Sequence, residues 1–286
     1  MRAFIIYLPN RPHSVSHANV MREQLQSFGI DAELFQGIDG NRAAAMAHRN
    51  GRKLYPYSIK SHNLKPEELR EYIRPDKWHE FQDQHYWRVT KRSRMSENEG
   101  GKLRRPGVIG CFYSHFLLWE RCHSLNEPIM IFEDDVKFYR RYEPVGFRGV
   151  LILSLGKSSF LNEPYRTYLE NPQGLPCAQP WRNFSMPGAS GYAITPGAAL
   201  GLLKHYRGFY YPADNAINQF VVDIQIHNFI MGRNTLPEEG NVSMTKSKDW
   251  NRCADSTDDT VQELDFDRFD RYATVDIEPD ATQGSA

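Results

Sequence analysis

The strongest constraint on this chain is a repeated local pattern of short, unbroken apolar runs stopped by breakers or charge. Residues 3–8 read Ala-Phe-Ile-Ile-Tyr-Leu and stop at Pro9; residues 128–132 read Pro-Ile-Met-Ile-Phe and stop at Glu133-Asp134-Asp135; residues 150–155 read Val-Leu-Ile-Leu-Ser-Leu. Runs this short and this apolar fit strands covered on both faces, as in a mainly parallel sheet between helices.

The intervening stretches carry the helices. Ser14 or Ser16 is positioned to cap a helix reaching Phe28, with Val20, Met21 and Leu25 at helical spacing and Gly29 ending it. Residues 32–35 make the second strand, so the chain opens with the strand–helix–strand unit of a nucleotide-binding layer. Residues 107–125 place Ile109, Phe112, Phe116, Leu117 and Trp119 as a mostly buried helix requires. Residues 191–195 read as a strand running into a helix from Pro196 through His205. The fold class expected is α/β, a Rossmann-like sheet with flanking helices.

A chain of 286 residues buries roughly 75% of its unfolded surface, enough for one large core. Lys and Arg total 35, as do Asp and Glu, so overall charge favours neither nucleic acid nor an anionic membrane. No apolar run approaches the ~18 residues of a membrane span. The opening run is also shorter than the ~7–15-residue core of a signal peptide before Pro9 ends it. The four cysteines form no CxxC pair, and Cys111 and Cys122 share one predicted helix, which prevents a bridge between them. A reducing, cytoplasmic setting is expected, including a peripheral position at an inner membrane.

Two segments depart from the rest. Residues 51–105 hold 14 Lys and Arg against 8 Asp and Glu, interleaved with Tyr55, Tyr57, Tyr72, Trp78, Phe81, Tyr86 and Trp87. From Asp249 onward, 11 acidic residues face three basic ones. The expected organisation is one catalytic domain over residues 1–248, with 51–105 inserted as a helical, basic and aromatic subdomain. Residues 249–286 follow as an acidic, partly disordered segment.

The acidic triplet stands where an apolar strand ends, the place where open α/β sheets put their ligands. Carboxylates two apart on extended chain point the same way, so Glu133 and Asp135 can share a cation. Oxygen ligands of this kind favour Mn²⁺ or Mg²⁺ over zinc. Such an ion offsets the charge of a departing diphosphate. The plainer alternative is a solvated turn that ends in three acids.

The surroundings of the triplet separate these alternatives. Gly110-Cys111-Phe112-Tyr113-Ser114-His115, then Leu118-Trp119-Glu120, then Pro128-Ile129-Met130 and the triplet resemble glycosyltransferase family 25, the family of lipooligosaccharide β-galactosyltransferases and collagen galactosyltransferases. Phe35-Gln36-Gly37-Ile38-Asp39-Gly40, the segment from Gly188 to Ile194 with Gly197-Ala198, and Tyr211-Pro212-Ala213-Asp214 resemble further segments of that family, in the same order. The resemblance extends over residues 3–216. It departs from the family in the length of 51–105, in Asn10-Arg11-Pro12 after the first strand, and beyond about residue 235.

The resemblance implies a GT-A fold, a nucleotide-diphosphate sugar donor that is usually uridine-linked, and inversion at the anomeric carbon. It implies that Asp135 and Glu133 hold the metal, with Glu133 and Asp134 nearer the ribose and sugar. Leu8, Asn10 and Arg11 would line the nucleotide, and Ile38 and Asp39 would meet the base or ribose. Ser114 and His115 would support the donor site. Inverting transfer needs a general base for the acceptor hydroxyl, for which Asp214 is the first candidate and Asp223 the second. On the plainer reading Asp214 only caps a helix starting at Asn215. His227, read as lying in an amphipathic helix, stays unassigned.

The acceptor is the open question. Interleaved aromatic and basic residues suit sugars, a phosphorylated saccharide or a nucleic-acid backbone. A glycan or lipid-linked saccharide ranks first, hydroxymethylated DNA second and protein third. Rival classes are an inactive sugar-binding module and a metal-dependent phosphohydrolase.

Overall fold

The computed structural model describes residues 1–40, 55–56, 74–78, 106–155, 174–181, 186, 188–206, 209–210 and 212–234. Among them the strands are β1 (Arg2–Tyr7), β2 (Ala32–Gln36), β3 (Tyr55–Pro56), β4 (Ile129–Glu133), β5 (Val136–Phe138), β6 (Val150–Leu155), β7 (Ala178–Pro180), β8 (Gly191–Ile194), β9 (Phe209–Tyr210), β10 (Ile224–His227) and β11 (Gly232–Asn234). The helices are α1 (Pro12–Ser27), α2 (Pro106–Leu125), α3 (Pro196–His205) and the single turn α4 (Ala213–Ala216).

The main sheet runs β2-β1-β4-β8-β6-β10-β7, with β11 joining β6 and β5. Strands β1, β2 and β4 are mutually parallel. Strand β8 is antiparallel to both β4 and β6, so β6 returns to the direction of β4, and β10 lies parallel to β6. The sheet is therefore mixed. One reversed strand, β8, stands in its centre, and two more, β7 and β5, lie at its margins.

Alternation along β4 divides the core in two. Ile129 and Ile131 pack with Phe112, Phe116 and Trp119 of α2 and with Leu202 and Leu203 of α3. Met130 and Phe132 face the other side, with Ala18, Met21 and Leu25 of α1. This is what period-two side-chain placement produces when both faces of a strand are covered. Gly191 makes the central crossing possible, since a Cβ there would come within 2.6 Å of the Phe132 ring and 2.8 Å of Ser154 Cβ.

Three local expectations are corrected. Helix α1 begins with Arg11 as its cap residue and Pro12 in the first turn, without a side-chain cap. Proline suits that position because the amide hydrogen it lacks has no helical acceptor there. Ser14 instead turns inward, continuing the buried series Ser14, Ala18, Met21 and Leu25, and Val20 is exposed. His227 lies on strand β10, not on a helix. Most of the predicted insertion and all of 249–286 lie outside the described residues. In 74–78, Arg74 donates its backbone N–H to the Phe220 carbonyl and Trp78 is buried.

Candidate active site

The parallel strands β1, β2 and β4 all end at one edge, and most of the residues singled out from the sequence meet there. After β1, the Leu8 amide donates to Ser14 Oγ at 2.8 Å and the Arg11 amide to the Leu8 carbonyl at 3.0 Å. These bonds curl residues 8–12 back over α1. After β2, the Gly37 amide donates to the Tyr7 carbonyl at 2.7 Å, and the Ile38 amide to Ser114 Oγ at 2.8 Å. Ser114 in turn donates to the Gly110 carbonyl, one helical turn back, at 2.7 Å. Asn10 Nδ2 reaches Asp39 Oδ2 at 3.2 Å, tying the two loops together. Leu8 and Ile38 are buried, whereas Asn10 is exposed.

Two glycines let the second loop lie this close to α2. A Cβ on Gly110 would stand 2.3 Å from the Ile38 carbonyl oxygen and 2.7 Å from the Gly40 nitrogen. A Cβ on Gly37 would meet Ile6 at 2.9 Å and Ser114 Oγ at 3.2 Å. A side chain at Gly110 would have to move backbone, and one at Gly37 would press on the Ile6 and Ser114 side chains.

The acidic triplet spans the end of β4 and the tight turn into β5. Its backbone is anchored by the Glu133 amide, which donates to the Ser190 carbonyl at 2.9 Å. Glu133 points toward α2, where Cys111 Sγ donates to its Oε1 at 3.4 Å and His115 Nε2 stands 3.6 Å from the same oxygen. Asp134 turns the other way, toward α1, where the Ser14 hydroxyl hydrogen-bonds it and His17 lies close enough to favour its charged form. Cys111, besides being buried, feels the charges of Glu133, Asp214 and Asp135.

Electrostatics at this edge are dominated by removal from water. It pushes the Glu133 carboxyl up to about 8; the Cys111 thiol opposes the shift, and the charges of Asp134 and Asp214 add to it. It raises Asp134 as well, against the Ser14 hydrogen bond and the His17 charge. It lowers His115 to about 3, so that imidazole is neutral, and it raises the Cys111 thiol well above its ordinary value. Groups shifted together in one cleft mark candidate chemistry.

Asp214, in α4, belongs to the same cluster. Its charge acts on Cys111, His115 and Glu133, although 81 residues of chain separate it from Glu133. Pro212 is the cap residue of α4 and Asp214 stands inside its first turn, so the expected cap role is corrected.

Asp223 is placed elsewhere. It precedes β10 beside the start of β6, where its carbonyl accepts from the Val150 amide. This is the opposite edge of the sheet from Glu133. There its carboxylate pairs with Arg74 and with Arg148, the latter at 2.7 Å. The structure therefore does not bring the second candidate base together with Glu133 and Asp214. His227 is excluded as a metal ligand on similar grounds. Its Nδ1 accepts the Phe229 amide at 2.9 Å, so Nε2 carries the hydrogen and donates to the Glu143 carbonyl at 2.8 Å.

Three contributors were not assigned roles in the site from the sequence: Ser14, read only as a helix cap, Cys111 and Tyr192. Cys111 precedes His115 by four residues, the one-turn spacing that puts both on one helix face. Tyr192 lies in the quoted glycine-flanked segment. Its hydroxyl, 2.8 Å from His115 Nδ1 and 2.9 Å from Trp119 Nε1, could not be foreseen without the sheet order.

Comparison with known proteins places the chain in a family. Residues 2–148 match the model of a family described as glycosyltransferase family 25 (LPS biosynthesis protein). Lipooligosaccharide biosynthesis protein lex-1 of Haemophilus influenzae is 29% identical over 154 residues, covering 46% of this chain and 48% of that protein. A glycosyltransferase 25 family member of Aedes aegypti is 23% identical over 135 residues, covering 46% of this chain and 16% of its own length. The chain thus spans about half of the first relative and a smaller part of the second. Among the described residues, no helix is long and apolar enough to cross a membrane.

Proposed function

The chain belongs to glycosyltransferase family 25, and on that premise we propose that it transfers a hexose, with inversion, from a nucleotide-diphosphate sugar to a hydroxyl of a glycan or lipid-linked saccharide. The donor is a uridine diphosphate sugar, the fold is of GT-A type, and residues 1–248 form the catalytic domain. The observation that carries this reading is that Asp214 lies near enough for its charge to act on Glu133, at the carboxyl edge of β1, β2 and β4.

The acceptor oxygen attacks the anomeric carbon as its bond to the diphosphate breaks. Asp214 takes the hydroxyl proton, the nucleoside diphosphate departs, and the sugar is left on the acceptor oxygen with inverted configuration. The loops at Leu8, Asn10 and Arg11 and at Ile38 and Asp39 hold the nucleotide, clamped by Ser14 and Ser114.

The chemistry of the acidic turn fits a hard divalent cation. Three carboxylates crowd one turn, and among the described residues Glu133 Oε1 faces a neutral imidazole and a thiol. Asp135 and Glu133 would hold Mn²⁺ or Mg²⁺, with Asp134 nearer the sugar. Bound there, the cation would offset the negative charge of the leaving diphosphate.

The acceptor side is assigned to residues 51–105, whose formal charge of +6 suits the phosphorylated core of a lipopolysaccharide. That reading places the enzyme at the cytoplasmic face of an inner membrane. DNA bearing hydroxymethylated bases is the second acceptor to screen, because the same charge suits a phosphate backbone.

The test is a panel of nucleotide sugars with Mn²⁺, followed by melting temperature and slow donor hydrolysis, alongside Asp135→Ala. A ligand that binds only the folded chain raises its apparent stability. Stabilisation by one uridine-linked sugar, lost in the variant, is the expected result. No shift and no turnover with any nucleotide sugar would sink the transferase reading and leave a binding module.

A further inference from the structure

Behind the acidic turn, and outside the roles assigned so far, is a buried chain of polar groups: Trp119, Tyr192 and His115, ending at Glu133. Trp119, Tyr192 and His115 show 0% exposure. Burying a hydroxyl, an indole N–H and an imidazole is costly unless each finds a partner.

The hydrogens in this chain can be assigned by elimination. Indole nitrogen only donates, so Trp119 Nε1 gives its hydrogen to the Tyr192 oxygen at 2.9 Å. Tyr192 has one hydrogen of its own, and His115 Nδ1, at 2.8 Å, is the acceptor facing it. A neutral imidazole that accepts at Nδ1 carries its hydrogen on Nε2. That Nε2 is fully enclosed, makes no hydrogen bond and stands 3.6 Å from Glu133 Oε1.

We propose that Trp119, Tyr192 and His115 form a positioning relay that holds the Nε2–H of His115 toward Oε1 of Glu133, so that Oε2 is presented to the divalent cation of the donor site. His115 and Tyr192 are positioning residues, since neither touches substrate. Cys111 adds a thiol hydrogen to the same oxygen at 3.4 Å, so one turn of α2 aims two donor groups at one carboxylate oxygen. The relay rests on the metal-dependent reading above. It adds the outer partners that orient a ligating carboxylate, whose loss typically lowers metal affinity about 10- to 100-fold.

Cys111, His115 and Glu133 place ligand atoms within 4.8 Å of one another, and a zinc ion bound by all three is the competing arrangement. It requires a bare Nε2 and a hydrogen on Nδ1. Tyr192 would then accept twice and leave its own hydroxyl hydrogen without an acceptor in the core, the costlier state.

The experiment measures Mn²⁺ affinity of the full chain in the presence of UDP, from the free-Mn²⁺ signal in electron paramagnetic resonance. It compares Tyr192→Phe, His115→Leu and His115→Gln, each checked for folding by near-UV circular dichroism. Tyr192→Phe and His115→Leu are expected to weaken Mn²⁺ binding about tenfold or more. Both are expected to lower kcat while leaving the acceptor KM unchanged. His115→Gln, whose amide can still donate toward Glu133, should recover much of the loss. If Tyr192→Phe does not fold, the Gln–Leu difference at position 115 decides. Wild-type Mn²⁺ affinity in folded His115→Leu would overturn the relay, as would equal losses in Gln and Leu. Stoichiometric zinc that disappears in Cys111→Ser would overturn it in favour of the competing site. Failure of the wild-type chain to bind Mn²⁺ with UDP would overturn the underlying functional reading as well.

Discussion

Ser114 on α2 holds Ile38 on the loop after β2: its hydroxyl accepts the Ile38 amide at 2.8 Å while donating to the Gly110 carbonyl at 2.7 Å. One side chain thereby satisfies a buried loop amide and fixes how far the loop stands from the helix. Ser114→Ala leaves that amide without its acceptor, a loss of about 1–3 kcal/mol. Urea denaturation should show this loss, and donor KM should rise more than kcat falls.

Gly110→Ala tests the same contact from the other side. The added methyl would stand 2.3 Å from the Ile38 carbonyl oxygen, and rigid backbone must move to admit it. A destabilisation of about 1–3 kcal/mol is expected, together with lost donor binding. An unchanged UDP-sugar affinity would contradict the assignment of residues 37–40 to the nucleotide.

Asp214 and Asp223 should separate cleanly. Asp214→Asn is expected to lower kcat about 10²- to 10⁴-fold while donor binding persists. Asp223→Asn should leave transfer intact and cost about 1 kcal/mol of stability, since it weakens pairs with Arg74 and Arg148 that water partly screens. A transferase assay and a melting curve on each variant distinguish the two roles.

His227 supplies a pH dependence away from the catalytic edge. Burial lowers its folded pKa, opposed by the hydrogen bond to Glu143 and by that residue's charge. Below its ordinary value of 6.5 the unfolded chain takes up a proton that the folded chain does not. The contribution is therefore fully present above pH 6.5 and is lost as pH falls through the lowered folded value. Between pH 7 and pH 5, the wild type should lose more stability than His227→Gln. Equal losses would show that the imidazole titrates alike in the folded and unfolded chain.

The strands legible in the sequence were those whose identity rests on local pattern. Residues 3–8, 128–132 and 150–155 became β1, β4 and β6 because a run buried on both faces has no polar alternation to confuse it. Direction was not legible, since an apolar run reads alike both ways, and the reversal of β8 depends on partners distant in the chain. His227 was misread although Ile224 and Ile226 alternate at the strand period, because four residues are too short a stretch to fix a period. Asp214 and Asp223 could not be ranked by type or neighbourhood alone; the sheet edge on which each lies separates them. Ser114 and His115 were readable as scaffolding, but their partners, Ile38 and Tyr192, required the fold.

The reversed strand also bears on the order in which the chain can mature during synthesis. Strand β1 pairs with β2 about thirty residues on, but its other neighbour, β4, begins at Ile129, and β4 is enclosed on its far side only when β8, ending at Ile194, arrives. Contacts between such distant segments form late, after long loops have closed. A nascent chain halted near residue 150 could hold the nucleotide loops together through Ser114, yet it would lack Tyr192 and the Ser190 carbonyl. The donor cradle can therefore assemble before the machinery that makes it chemically competent, and ribosome-stalled chains should acquire UDP binding earlier than tight Mn²⁺ binding.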